Sequence, residues 1–328
     1  MRKNDSGLAL IIVLWLLALV SVIIAQFAFS MKVETEVTRN YKDQIIAYHL
    51  AKAGFHLAVM EMMNPTVNST STSGEKVVFG HRKQENDQDT GEEEIPVNRE
   101  KIRLGKGFFS YRIIDEEGKL DLNFLSNPGR KTILSKLLEV SAGLAGEELE
   151  EIIDSIYDWC DKDDNYRPNG AEDDYYQGLD PPYHCKNGPF DTIYDLLLIK
   201  GVTPEIFYGN DDSGETYEGL ERNLTVWSEG VLNEYSASFT VLTAQNGGEE
   251  KAEKKKQKMF DEEGKPIDNK HRSSHFSIIS TGYCADGSSR RSILAVVKSA
   301  GVGTANPWYE IKYWNDNYIP SETRKSGQ

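Results

Sequence analysis

The stretch LALIIVLWLLALVSVIIAQFAFSM (Leu8–Met31) decides the architecture of this chain. From Leu8 to Ala25 it contains no charged residue, and only Ser21 is polar. A helix that rises about 1.5 Å per residue would span about 27 Å over this length, close to the thickness of a bilayer core. The stretch therefore predicts a membrane-spanning helix.

The helix is expected to continue well beyond the apolar stretch. Apolar residues recur at spacings of three, four or seven, with charged residues between them. These apolar positions are Val33, Val37, Tyr41, Ile45, Tyr48, Phe55, Val59 and Met62. No proline interrupts the pattern, and Asn64 with Pro65 supplies a stop signal. We therefore predict one helix over residues 8–63, about 80 Å long.

A short charged leader, MRKNDSG (Met1–Gly7), precedes the apolar stretch. A secretory signal peptide has its small-residue cleavage site after the apolar stretch, whereas Gly7 stands before it. A simple signal anchor would also keep Arg2 and Lys3 on the cytoplasmic side. That alternative leaves Gly7 and the helical extension unexplained.

Leader, apolar helix and amphipathic extension together resemble those of type IV prepilins and type II secretion pseudopilins. The resemblance implies that a prepilin peptidase cuts between Gly7 and Leu8 and that the new amine of Leu8 is methylated. Most members carry Glu at the fifth mature position, where this chain has Ile12. That Glu is thought to neutralise a neighbouring subunit's N-terminal ammonium in the apolar filament core. Its absence implies a subunit at the filament tip.

Four later segments resemble, in the same order, the minor pseudopilin K of type II secretion; they are Asp115–Ser126, Asp154–Tyr176, Pro181–Gly209 and Phe276–Lys298. The resemblance implies an α+β fold in which a pilin-like long N-terminal helix packs on an antiparallel sheet, with a large inserted all-helical domain. It implies a tip subunit of the pseudopilus that supports pseudopilus initiation and export of folded proteins across the outer membrane. I-like and J-like minor pseudopilins would be its partners. A minor pilin of a type IV pilus is the alternative.

The implied location is the inner membrane of a Gram-negative type cell, crossed once, with the N-terminus cytoplasmic and the bulk of the chain periplasmic.

A net charge of −15 disfavours nucleic acid as a partner. The segment DLLLIKGVTPEIF (Asp195–Phe207) has the outline of a DNA-binding hairpin, but Asp195 and Glu205 would repel phosphate. The chain lacks the common hydrolase, metalloprotease, phosphate-loop and dinucleotide motifs. We therefore expect neither an enzyme nor a small-molecule substrate.

Hydrophobic periodicity divides the chain into segments. Alternation predicts strands from Lys101 to Asn123, a short strand at Leu224, and a hairpin formed by Phe276–Gly282 and Ser292–Lys298. Helices are expected around Ile133–Leu138, Leu149–Cys160 and Thr192–Lys200, with another starting after Thr203, and Glu249–Lys258 is expected to be a solvated loop. The predicted boundaries are 1–7 (leader), 8–63 (helix), 64–126 (variable loop and first strands), 127–221 (inserted helical domain), 222–298 (remaining sheet) and 299–328 (tail).

An acidic loop offers oxygen ligands for a cation. The residues at positions 1, 3, 5 and 12 of an EF-hand-type spacing are Asp161, Asp163, Asn165 and Glu172. Position 6 is Tyr166 instead of Gly, so we do not infer an EF-hand fold. Asp173 and Asp174 add carboxylates that repel one another unless a cation compensates. Hard oxygens favour Ca²⁺ over zinc, and the resemblance to K pseudopilins also implies calcium. We expect structural Ca²⁺; the alternative is a solvated acidic loop.

Three cysteines in a periplasmic chain permit one disulfide. Cys160 and Cys185 bracket the acidic loop, and a bond between them could contribute roughly 3 kcal/mol. We predict this pairing, which leaves Cys284 unpaired. Three reduced thiols are the alternative, because sequence does not fix connectivity.

Overall fold

The computed structural model describes residues 6–63, 97–210, 217–261, 267, 273–285, 287–300 and 306–320. The apolar run Val77–Phe79 predicts one short strand within the variable segment 64–96. That segment and residues 1–5 lie outside the described residues.

One long helix, α1 (Ser6–Met63), confirms the prediction of an uninterrupted rod. From Leu10 to Tyr41 its large apolar side chains are exposed. From Ala47 onward one face is buried, and small residues line it: Ala47, Ala51 and Ala58 are fully covered. The helix therefore has a free apolar half and a half packed against the rest of the protein.

A five-stranded antiparallel sheet covers the buried face of α1, in the order β1-β2-β5-β6-β7. Its strands are β1 (Val97–Leu104), β2 (Gly107–Asp115), β5 (His275–Tyr283), β6 (Arg290–Ala300) and β7 (Trp308–Asn315). The helix comes very close to β5, because a Cβ on Gly54 would lie 2.3 Å from Ser280 Oγ. Gly54 therefore permits this packing despite its low helix propensity.

The α1–sheet core is one continuous apolar cluster. It includes Phe55, Val59 and Met62 from α1, Phe109, Tyr111 and Ile113 from β2, Phe276 and Ile278 from β5, and Ala295 and Val297 from β6. Beside it, buried Glu61 accepts hydrogen bonds from Arg99 and Tyr111. The end of the helix is thereby fixed to β1 and β2.

A helical body is inserted between β2 and β5. Its helices are α2 (Leu122–Leu125), α3 (Lys131–Ala142), α4 (Gly146–Cys160), α5 (Asp173–Gln177), α6 (Pro204–Tyr208), α7 (Phe239–Asn246) and α8 (Glu249–Met259). They surround a second apolar cluster that includes Leu137, Ile152, Trp159, Phe207 and Val241. The predicted fold class, a long helix on an antiparallel sheet with further helices, is confirmed.

The helix predicted to start after Thr203 is present as α6. The Thr203 hydroxyl accepts the Ile206 amide, and Pro204 occupies the first turn. Gly201 has the positive φ of +84° expected of a left-handed residue.

The charged run Glu249–Lys258 was expected to be a loop, and that expectation is wrong. It forms α8, where Glu250 and Lys254 pair one turn apart at 2.6 Å. Two apolar positions seven residues apart, Ala252 and Met259, are buried. Because the run is mostly charged, its two apolar positions do not stand out as a helical pattern in the sequence.

Other differences concern short elements. The predicted helix Thr192–Lys200 is a 3-10 turn over Ile193–Leu198. Strands β3 (Leu120–Asp121) and β4 (Leu224–Thr225) pair in parallel as a separate two-stranded sheet at the base of the helical body. Helices α7 and α8 lie beyond residue 221, where we placed the end of the helical segment, and they contribute to the same core. Part of the expected tail is strand β7.

Candidate metal centre

The acidic loop joins the end of α4 to the start of α5. Asp161 follows α4 as its C-cap residue, with an extended backbone. Glu172 is the N-cap residue of α5 and is also extended. The loop between them doubles back, so that residues far apart in sequence lie at one place.

Three carboxylates converge at that place. One oxygen from each of Asp161, Asp163 and Glu172 lies within 4.8 Å of the other two. Glu172 is 1% exposed, Asp161 is half-buried and Asp163 faces solvent. The group is therefore closed on the protein side and open on the solvent side.

Glu172 has no partner for its charge among the described residues. Neither of its carboxylate oxygens receives a hydrogen bond there, although both are buried, and the same holds for Asp161 Oδ1. Burial raises the pKa of Glu172 to about 7, and the charges of Asp158, Asp161, Asp164 and Asp163 add to this effect. Burial likewise raises the pKa of Asp161. A cation bound among these oxygens would offset the cost of burying the charged carboxylates of Glu172 and Asp161.

Arg167 neutralises the inner side of the centre. Its Nη1 donates to Asp158 Oδ1 at 3.2 Å and to Asp161 Oδ2 at 3.1 Å. Its guanidinium also lies over the Tyr157 ring, 5.2 Å from the centroid. Arg167 thus holds Asp161 by one oxygen, and the other oxygen is the buried, unpartnered one.

The residues behind the centre were not predicted. Asp158 is fully buried, and a Cβ on Gly170 would lie 1.8 Å from its Oδ2, so only glycine fits there. Asp154 accepts from the backbone and side chain of Asn169. The spacing of Asp154, Asp158 and Asp161, four and then three, places them on one helix face and could have revealed this role.

The other predicted ligands have different surroundings. The Asn165 side chain donates to Asp163 Oδ1 at 2.6 Å, so it adjoins the three carboxylates. Asp173 Oδ1 accepts the Cys185 amide at 2.8 Å and lies 3.1 Å from His184 Nδ1. Asp174 accepts the amide of Tyr175. Asp173 and Asp174 therefore stand outside the group formed by Asp161, Asp163 and Glu172.

Comparisons with known proteins show what this chain is similar to. Residues 118–208, which contain the whole centre, match the family model described as type II secretion system (T2SS), protein K. A putative type II secretion system protein K of Escherichia coli K12 is 27% identical over 216 residues, covering 63% of this chain and 61% of the relative. The type II secretion system protein K of Pseudomonas aeruginosa is 27% identical over 207 residues, covering 61% and 59%. The chain is therefore similar to type II secretion system protein K.

This chain aligns with about three fifths of the length of those two relatives. Its fold is similar to that of a chain in the crystal structure of the GspK-GspI-GspJ complex from enterotoxigenic Escherichia coli. The TM-score is 0.53 at 13% identity, with 88% of this chain and 100% of that chain covered.

The N-terminal helix of this chain is a candidate membrane anchor. It is long and apolar enough to cross a bilayer, and none of its most apolar window is buried within the protein. Ile12 lies in this part and is 58% exposed. Leu8 and Gly7, the predicted processing positions, lie in the first turns of the same helix.

The predicted disulfide partners lie beside the centre as free thiols. Burial raises the pKa of Cys160 to about 12, and the nearby Cys185 thiol adds to this effect. Cys185 Sγ lies 3.9 Å from the Asp158 carbonyl oxygen. Cys284 is also free and lies at the β5–β6 turn, where Ser289 donates to its sulfur. The pairing of Cys160 with Cys185 stays a prediction.

Proposed function

We propose that this chain is a minor pseudopilin at the tip of the type II secretion pseudopilus, where it supports pseudopilus initiation and export of folded proteins across the outer membrane. The observation that carries the proposal is the joining of an exposed apolar half-helix to a protein K helical body in one chain. A wide body inserted beyond the sheet suits a subunit with nothing stacked above it. Ile12 supports the tip position, since a tip subunit need not pair another subunit's ammonium.

The anchor is proposed to cross the inner membrane once, with the N-terminus cytoplasmic and the remainder periplasmic. Arg2 and Lys3 favour this orientation. Prepilin peptidase would cut after Gly7, and Leu8 would become the methylated first residue. Intact-mass analysis of protein purified from its own membranes tests this step. Loss of seven residues with gain of a methyl group supports it, and an uncut chain starting at Met1 contradicts it.

The partners are proposed to be the I-like and J-like minor pseudopilins. Support comes from the structural neighbour, which was crystallised as a complex of GspK with GspI and GspJ. Co-purification of the processed chain with I-like and J-like subunits from the same cells tests the proposal. A deletion strain that still assembles pseudopili and secretes at the normal rate would contradict the function.

The acidic centre is proposed to bind structural Ca²⁺ through Asp161, Asp163 and Glu172, with Asn165 beside them. The fit rests on the buried oxygens of Glu172 and Asp161 that have no hydrogen-bond partner in the described part of the chain, and on a donor set made only of oxygen. Bound Ca²⁺ would supply positive charge to this cluster. The loop has little apolar content, so this charge would stabilise its fold.

Calorimetric titration with Ca²⁺ separates ligands from neighbours. Asp161→Asn and Glu172→Gln are expected to weaken binding at least tenfold, because each removes a converging charged oxygen. Asp173→Asn and Asp174→Asn test the two sequence-predicted ligands that lie outside the group of three carboxylates. Their side chains accept backbone amides instead. Unchanged affinity in Glu172→Gln would refute the site.

A further inference from the structure

The segment 183–188 lies beside the acidic centre and contacts the end of α4. Cys185 Sγ is 3.9 Å from the carbonyl oxygen of Asp158, and the Gly188 amide donates to the carbonyl oxygen of Trp159 at 3.4 Å. The segment therefore runs along the last turn of α4, directly before the first carboxylate of the centre.

The same segment is bound to the start of α5. The Cys185 amide donates to Asp173 Oδ1 at 2.8 Å, and the Tyr183 amide donates to the carbonyl oxygen of Tyr176 at 3.3 Å. Asp173 directly follows Glu172, whose carboxylate belongs to the centre. Cys185 thus contacts both helix ends between which the three carboxylates lie.

Cys160 is placed to form a bond with Cys185. It is the last residue of α4 and directly precedes Asp161. Cys185 is buried in the apolar core of the helical body, and Cys160 packs against that core. Cys284 follows β5 in the sheet, in the other part of the molecule. A bond between Cys160 and Cys185 would close the loop that carries all three carboxylates.

A disulfide and a cation would favour the same conformation of this loop. Without a cation the three carboxylates repel one another, and the buried oxygens of Glu172 have no hydrogen-bond partner among the described residues. Both effects favour opening of the loop. A disulfide limits the separation of the loop ends, and a cation draws the carboxylates together. Each therefore reduces the conformational entropy that the other must remove.

We propose that Cys160 and Cys185 form a redox pair that sets the affinity of the acidic centre for Ca²⁺. Oxidation of the pair tightens Ca²⁺ binding, and bound Ca²⁺ makes the disulfide harder to reduce, because coupling between two sites is reciprocal. The inference rests on the proposed Ca²⁺ site and on the predicted cysteine pairing.

The oxidant in this proposal is a disulfide compound, for which glutathione disulfide serves as the probe. The two cysteine thiols give up two protons and two electrons as the Cys160–Cys185 bond forms. The S–S bond of glutathione disulfide breaks, takes up those protons and electrons, and yields two glutathione thiols.

Calorimetric titration with Ca²⁺ compares the two redox states of the full-length protein in detergent. One sample is oxidised with glutathione disulfide, the other is reduced with dithiothreitol, and both are desalted before titration. We expect the reduced protein to bind Ca²⁺ about tenfold more weakly than the oxidised protein. Equal affinity, or weaker binding after oxidation, overturns the coupling and leaves the Ca²⁺ site standing. Absence of binding in both states contradicts the Ca²⁺ site itself.

The reciprocal measurement is a redox titration in glutathione buffers, in Ca²⁺ and in EDTA. Alkylation of free thiols followed by mass spectrometry gives the oxidised fraction and identifies the bonded cysteines. A tenfold coupling corresponds to a midpoint potential about 30 mV lower in Ca²⁺. An unchanged midpoint contradicts the coupling. A bond that includes Cys284, or no bond in glutathione disulfide, overturns the assigned pair.

Three serine variants separate the pair from the remaining cysteine. Cys160→Ser and Cys185→Ser should bind Ca²⁺ like the reduced parent protein, with or without oxidant. Cys284→Ser is the matched control and should keep the tenfold difference between redox states. Loss of that difference in Cys284→Ser, or its persistence in Cys185→Ser, contradicts the proposal. The two states of the parent protein supply the comparison without any substitution, so a variant that fails to fold leaves the test intact.

Discussion

At the scale of single residues, Glu172 links the acidic centre to stability. Its pKa is about 7 in the folded protein, against an ordinary value of 4.5. A raised pKa means that the folded state favours the protonated carboxyl. The stabilising contribution is therefore fully present below about pH 4.5 and is lost as the pH rises through 7. Metal-free protein should lose stability over this interval, whereas protein saturated with Ca²⁺ should lose much less.

The Glu172→Gln variant should be more stable than the parent protein when both are metal-free, but it should no longer be stabilised by Ca²⁺. It removes the titrating carboxyl, so metal-free variant protein at pH 8 should melt about 2–5 °C above metal-free parent protein. It should also lose the increase in melting temperature that Ca²⁺ produces. Thermal unfolding in EDTA and in Ca²⁺ at pH 5.5 and 8 measures both effects. A variant that still gains stability from Ca²⁺ would show that Glu172 is not a ligand.

Gly170 offers a steric test at the same scale. Gly170→Ala would force a methyl group to within 1.8 Å of buried Asp158 Oδ2, so we expect a loss of about 1–3 kcal/mol in the free energy of unfolding. Gly188→Ala is the matched control, because its Cβ would meet its nearest neighbour at an ordinary 3.6 Å. That control should stay within about 0.5 kcal/mol in urea unfolding. Equal losses of unfolding free energy in the two variants would show that the contact with Asp158 is not the cause.

At the scale of elements, helix propensity and packing make opposite predictions for a substitution at Gly54. Helix propensity alone predicts that Gly54→Ala stabilises α1 by about 1 kcal/mol. Packing predicts the opposite, because the new Cβ would approach Ser280 Oγ to 2.3 Å and the Phe109 ring to 2.8 Å. We expect packing to dominate, with a net loss of about 1–2 kcal/mol in chemical denaturation. Lys52→Ala, an exposed neighbour, is the control, and a more stable Gly54→Ala would show that α1 can move off the sheet.

Elements were predictable from sequence where one periodic signal was strong. The rod α1, helices α3 and α4 and the β5–β6 hairpin all carry such signals. Helix α8 was missed because only two of its residues are buried, and a stripe that narrow is lost in a charged run. Strand β7 was missed because an edge strand with exposed apolar residues lacks the alternation that marks a half-buried strand.

The acidic centre was likewise predictable from the sequence only in part. Spacing alone brought together Asp161, Asp163 and Glu172, since a loop of that length can return its ends to one point. Spacing could not exclude Asp173, whose carboxylate is held by the Cys185 amide. It also could not reveal Arg167, because its ion pairs depend on how the loop folds back over α4.

At the scale of the whole molecule, two apolar cores are joined through polar groups. The α1–sheet core and the core of the helical body are separate clusters. Between them, Asp115 accepts from Ser236 and Ser273, and Glu117 pairs with buried His275 at 2.9 Å. Hydrogen bonds position the two parts, and their buried apolar clusters stay separate, so the parts should differ in stability.

We therefore expect Ca²⁺ to stabilise one part only. Trp159 lies in the helical core and Trp314 lies against α1, so each reports on its own part. In single-tryptophan variants that keep only Trp159 or only Trp314 of the chain's five tryptophans, EDTA should lower the midpoint of the Trp159 fluorescence transition by several degrees and leave that of Trp314 within about 1 °C. Matched scans in Ca²⁺ supply the control. If both midpoints fell together, the two cores would unfold as one cooperative unit, and the cation would stabilise the sheet as well as the loop that holds it.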